Sequence, residues 1–156
     1  KWPGISFGIK LIESKQMLSP SDFGFHNSLQ RGDGSLWFVD LEYFGRDDPV
    51  KLITDFLWHP GMNLQVAQKT QWLRGVFAIF GQDLELRQRF RAGWPVYALR
   101  WALIMLNEFH QEGWKKRVHA KQELQHEREN VQQQQLQKAA KICERVRGEK
   151  LECPYV

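Results

Sequence analysis

Apolar positions follow two different periods along this chain. Ser28–Gln30 and Leu36-Trp37-Phe38-Val39 are short β-prone runs flanking Arg31-Gly32-Asp33-Gly34, whose glycines can take positive φ, so a hairpin is predicted there. Ahead of it, Ile5, Phe7, Ile9 and Leu11 alternate with small or polar neighbours, a pattern that suits a short strand over 5–11 and a glycine-rich loop almost equally. Met17-Leu18 then enters Ser19-Pro20-Ser21-Asp22-Phe23-Gly24, where Pro and Gly interrupt either regular element and a loop is expected.

Downstream the period becomes helical. Asp48 before Pro49 reads as a helix start, because the carboxylate accepts an orphan N–H and Pro is pre-set for the first turn. That helix should reach about Trp58, where His59-Pro60-Gly61 stops it. Val66, Leu73, Phe77 and Phe80 share one stripe of a second helix closed by Gly81. Asp83 is expected to cap a short helix to Phe90, and Pro95 to open another through Phe109 that buries Leu99, Leu103 and Leu106. From Lys115 to about Arg147 there is no Pro or Gly, and Gln, Glu, Lys and Ala dominate. One helix near 50 Å long is predicted, at ~1.5 Å per residue. Its apolar positions are sparse, so it should lie on a surface or pair with a partner. The pattern as a whole predicts an α+β, mostly helical protein, with a helical subdomain over 49–110 and a long polar helix and tail over 115–156.

Composition narrows the classes. A chain of 156 residues that is 42% hydrophobic has the size and material for one core, which excludes disorder of the whole. The formal charge of +4 resides in residues 115–156, which carry ten Lys/Arg against six Asp/Glu, while 1–114 carry twelve of each. Basicity confined to a polar helix is a solvated face and not a nucleic-acid footprint. No apolar run approaches the roughly 20 residues that span a bilayer, and no signal pattern opens the chain, so a cytoplasmic protein without a membrane partner is expected. Its start at Lys1-Trp2-Pro3-Gly4, without Met, suggests a piece of a longer chain. Cys143 and Cys153 are too few for a disulfide framework and lack zinc-ligand spacing.

The chemistry is concentrated in residues 22–55. Seven acids (Asp22, Asp33, Asp40, Glu42, Asp47, Asp48, Asp55) stand there against Arg31, Arg46 and Lys51, among many Phe and Trp. Carboxylates near an apolar hairpin are costly to desolvate unless a cation compensates them, and magnesium takes oxygen ligands from one or two carboxylates together with phosphate. Order sharpens the point: Asp22, then Asn27 after a loop of four residues, then a hairpin, then Asp40 at the end of its second strand. Phosphoryl transfer needs one carboxylate at the acceptor hydroxyl, and an amide and a carboxylate oxygen to hold metal against phosphates. Asp48 reads better as a helix cap than as a ligand, His26 as a structural loop residue, and Arg46 as the ion-pair partner of Asp47 or Asp48, with contact to phosphate or substrate as its alternative. Neither a Gly-x-Ser-x-Gly elbow, a His-Glu-x-x-His pair nor a Walker motif occurs, which disfavours hydrolase and P-loop readings.

Leu18-Ser19-Pro20-Ser21-Asp22-Phe23-Gly24-Phe25-His26-Asn27, followed by Phe38-Val39-Asp40-Leu41-Glu42-Tyr43-Phe44-Gly45-Arg46-Asp47-Asp48-Pro49, resembles the catalytic loop and metal-binding segment of the aminoglycoside phosphotransferase/choline kinase family. Pro20-Ser21 stands where members of that family usually carry His-Gly. The resemblance implies a kinase-like C-terminal lobe over 1–114, with catalytic loop 18–27 and metal-binding segment 38–49. It implies Asp22 as the catalytic-loop aspartate, Asn27 as a magnesium ligand, and Asp40 as the aspartate bridging Mg2+ to ATP. Glu42 and Asp47 are divided between solvent and the metal's outer shell. Nothing before Ser19 resembles a nucleotide-binding lobe, so that lobe is the implied partner, alongside a small-molecule hydroxyl substrate. The alternatives are a kinase-like binding or scaffold module engaged through the long helix, and an inactive truncated fragment.

Overall fold

The computed structural model describes residues 10–120, 122, 126–148 and 152–155. They form an α+β protein, mostly helical, with two two-stranded sheets and five helices. All but the last two residues of the strand or loop expected over 5–11 lie outside the described residues.

β1 (Met17–Ser19) pairs antiparallel with β4 (Gly45–Asp47), Leu18 facing Arg46, and β2 (Ser28–Gln30) pairs antiparallel with β3 (Leu36–Phe38), Leu29 facing Trp37. The second pair is the expected hairpin. Its turn closes through Arg31 N–H to the Ser35 carbonyl (2.9 Å) and Gly34 at φ 85°. Asp33 Oδ1 accepts from the Ser35 hydroxyl (2.7 Å), which holds its carboxyl below the usual range. The first pair has no counterpart in the sequence reading.

Helix α1 (Pro49–Trp58) starts as its sequence dictates, with Asp48 Oδ1 accepting from Val50 N–H at 2.9 Å. α2 (Val66–Ile79) is capped reciprocally by Gln65 and Gln68. Behind them the core gathers Ile53, Leu73, Leu86, Phe90 and Trp94, all 2% exposed or less. Trp58 and Trp94 pack tilted with centroids 4.4 Å apart, and Phe77 meets Phe90 edge-on at 5.4 Å. Gly93 admits the close approach of α1, since a Cβ there would lie 3.0 Å from Val50 Cγ1.

Two expectations for the helical part are corrected. Asp83 does cap a turn, its Oδ1 accepting from Glu85 N–H at 3.1 Å, but the chain then runs as one helix, α3 (Leu86–Met105), straight through Pro95. A proline inside a helix costs about 3 kcal/mol. The buried stripe also differs: Ala98, Trp101, Ala102 and Met105 face inward, while Leu99 and Leu103 are exposed.

The expected single long helix is two, α4 (Gln111–Ala120) and α5 (Arg128–Gly148). Helix propensity is local and would favour continuity, but one straight helix leaves its few apolar residues nothing to pack on. The interruption lets Ala139, Ile142 and Cys143 join Ala102, Met105 and Leu106 in a cluster. Glu108 ties both segments to the turn 106–109: its carboxylate pairs with Arg117 of α4, and its carbonyl accepts from Gln132 of α5 at 2.9 Å. The described chain divides into two compact units between Tyr97 and Ala98, inside α3, with Cys153 and Tyr155 belonging to the first. No described helix is long and apolar enough to cross a membrane.

Candidate functional site

The loop between β1 and β2 is shaped by short local bonds. Buried Ser19 accepts from Ser21 N–H through its hydroxyl (3.0 Å), and Asp22 N–H reaches the Pro20 carbonyl (2.9 Å). This throws Ser21 into the left-handed region at φ 64°, a conformation that favours glycine. Lys51 Nζ, from α1, holds the Ser21 hydroxyl at 2.8 Å and sits 3.1 Å from Asp55 and 3.5 Å from Asp47. The carboxylate of Asp22 is thereby turned outward on a braced backbone.

Phe23 anchors the loop. Its ring lies 4.6 Å from Phe38 of β3, 5.8 Å from Phe56 of α1 and 6.1 Å from Trp72 of α2, while Phe56 and Trp72 stack at 4.1 Å. One side chain thus fixes the loop against a strand and two helices. Gly24 lets the His26 ring and Met62 close over the backbone: a Cβ there would lie 2.6 Å from the ring and 2.8 Å from Met62 Sδ, so those side chains would have to shift.

Asn27 Nδ2 donates to the Asp22 carbonyl at 2.9 Å, closing the loop and leaving the amide oxygen as the acceptor. Val39 N–H donates to the Asn27 carbonyl at 2.9 Å, so the ladder β2–β3 brings Asp40, the next residue, beside Asn27. Asp40 itself is exposed and left-handed, at φ 61°. The Tyr43 phenol is pushed up by its hydrogen bond to Glu42, then by that carboxylate's charge, with smaller contributions from Asp40 and Asp22. Asp47 is engaged by Lys51 and by Asp48 N–H at 2.9 Å.

Two residues gain a place that the sequence did not suggest. His26 Nε2 pairs with Asp22 Oδ1 at 3.0 Å, and its ring stacks on His59 with centroids 3.9 Å apart and planes 3° from parallel. His59 had only the role of a helix stop, and nothing in a spacing of 33 residues signals the contact. Burial, with the neighbouring His26, pushes the His59 imidazole down toward the neutral form. Asp22, His26 and His59 each offer a ligand atom within 4.8 Å of the others. Yet His26 Nε2 is engaged by Asp22, and His59 Nδ1 accepts from Gly61 N–H at 3.0 Å. The oxygens of Asn27 and Asp40 are the hard donors that suit magnesium; the imidazoles are not.

Comparison with protein-family models, with curated proteins and with solved structures finds no match for this chain.

Proposed function

We propose that this chain is the catalytic, C-terminal lobe of a kinase of the aminoglycoside phosphotransferase/choline kinase type, an ATP-dependent transferase acting on a hydroxyl of a small molecule. What supports the reading is the local backbone geometry: Asn27 Nδ2 donates to the main-chain carbonyl of Asp22 and Val39 N–H, one residue before Asp40, donates to the Asn27 carbonyl, both at 2.9 Å. Asp22 accepts the proton of the acceptor hydroxyl, whose oxygen bonds to the γ-phosphorus as the bond to the ADP oxygen breaks. The Asn27 amide oxygen and the Asp40 carboxylate would hold Mg2+, which when bound neutralises charge on the phosphates. His26 orients Asp22, a task that a His before the aspartate would otherwise share. The adenine end of ATP is assigned to a separate nucleotide-binding lobe working with this one.

The test is steady-state phosphotransfer from Mg-ATP to a panel of alcohols, with that lobe supplied if one is encoded next to this chain. Asp22→Asn should lower turnover by at least about 100-fold while sparing nucleotide binding, the range expected for a lost general base. Asp40→Ala should lose both. Turnover like the wild type in Asp22→Asn would remove the residue from the mechanism and the reading with it.

A further inference from the structure

A groove of about 440 Å³ opens between the loop that carries Phe25, α1 and α2. Its wall begins at Phe25, three residues after Asp22, and continues through Phe56 and Trp72 to Val76 and Ile79. None of its lining residues is charged; the polar groups are the amides of Gln68 and Gln71. Phe25 and Ile79 remain 51% and 73% exposed, apolar surface that a ligand would cover.

The floor carries a second, independent feature. Gly75 lies in the interior of α2, where glycine costs roughly 1 kcal/mol relative to alanine. A Cβ built on it meets nothing within 4 Å. Packing therefore does not require a glycine at this position, and what its missing side chain provides is open volume in the groove.

We infer that this groove takes the body of the acceptor, and that the acceptor is an uncharged alcohol with an aromatic or alicyclic ring rather than a polyamine sugar. The inference rests on the phosphotransferase reading for the word acceptor. Its chemistry rests on the groove alone. A polycation entering it would lose hydration with no carboxylate in the lining to compensate, whereas a ring gains contact with Phe25 and Trp72 and two amides for hydroxyls. The volume suits one or two fused rings. Phe25 sits in the same loop as Asp22 and Asn27, which makes this groove the one argued for the acceptor.

The experiment uses the 156-residue chain without ATP, 2-naphthylmethanol as the neutral probe and kanamycin as the polycation, reading the Trp72 indole N–H by NMR. The neutral alcohol should shift that resonance saturably and kanamycin at equal concentration should not. Gly75→Leu should weaken the alcohol at least tenfold with thermal stability unchanged or raised, and Gly75→Ala should bind nearly as the wild type. Absence of a saturable shift, equal binding by Gly75→Leu, or displacement by kanamycin would overturn the inference. So would a shift that follows protein concentration alone, which would give the groove to a second copy of the chain. The two readings fail separately. Groove binding with no transfer to any alcohol sinks the phosphotransferase alone. Transfer to kanamycin that Gly75→Leu leaves unchanged sinks the groove assignment alone.

Discussion

At the scale of single residues, the loop's chemistry is decided by what each polar atom is already bonded to. Asp22 directs one oxygen to His26, and His26 is kept in line by stacking on His59 and by the close fit against Gly24. If Asp22 acts on an acceptor hydroxyl, His26 is a positioning residue, and its loss frees the carboxylate to rotate. His26→Ala should therefore lower turnover by roughly tenfold to a hundredfold, less than Asp22→Asn, with Mg-ATP affinity unchanged. His26→Gln, which can still donate to Asp22 Oδ1, should recover much of the loss. Equal defects in the alanine and glutamine variants, or weakened nucleotide binding in either, would assign His26 a different role. Ser21 is the matching backbone case. Its left-handed φ is stabilised by the Ser19 and Lys51 bonds, so the strain beside Asp22 is offset by side chains that the local sequence does not identify as partners.

Elements are tied together by one cation in particular. Arg89 of α3 donates to Asp48 Oδ2 at 2.9 Å and to Asp83 Oδ2 at 2.7 Å, joining the cap of α1 to the turn that begins α3. Burial works against the guanidinium charge, but the hydrogen bonds to Asp83 and Asp48 more than offset it and raise its pKa. In return the Arg89 hydrogen bond holds the Asp83 carboxyl below its ordinary 3.8. A carboxyl depressed on folding contributes stability that is fully present above the unfolded value and is lost as pH falls through the folded one. Arg89→Met should thus cost about 1 to 2 kcal/mol near neutral pH, the worth of charge-assisted bonds at a partly solvated site. The gap between variant and wild type should stay level above the ordinary carboxyl value and shrink below it. Urea unfolding at neutral pH and again below that value measures both, and a gap that persists in acid would mean that the stem's packing, and not the ion pairs, carries the effect.

For the whole molecule, the question is what this chain can hold by itself. Lys51, the cation that reaches the loop at Ser21, is also held by Asp47 and Asp55. The segment from Leu36 to Phe44 leaves Trp37, Val39, Leu41, Tyr43 and Phe44 exposed. On the phosphotransferase reading, nucleotide contacts made here reduce to those through Mg2+ at Asn27 and Asp40. Calorimetry on the 156-residue chain should then find Mg-ATP binding no tighter than about millimolar, on the order of −4 kcal/mol, and Asp40→Ala should remove it. Micromolar affinity would show that the chain holds the nucleotide base unaided and would end the need for a separate lobe.

The sequence by itself determined what short-range rules govern. Asp48-Pro49 wrote the start of α1, the glycines of 31–34 the hairpin turn, and Leu73 and Phe77 the buried face of α2, whereas Val66 of the expected stripe is exposed. The order Asp22, Asn27, hairpin went with a loop closed by Asn27 Nδ2 on the main-chain carbonyl of Asp22, and the hairpin's register carries the backbone of Val39 to that of Asn27. Tertiary structure alone decided the rest. Gly45–Asp47 has no strand propensity and becomes one only because Met17–Ser19 arrives to pair with it. Pro95 stands inside a helix, where the local rule places a helix start. The polar tail breaks because continuity would leave Ala139 and Ile142 without Ala102 and Met105. His59 meets His26, and Phe23 meets Trp72, across tens of residues. Local propensity is worth tenths of a kcal/mol per residue, while burying one large side chain is worth a few, so where they disagree the long-range contact decides.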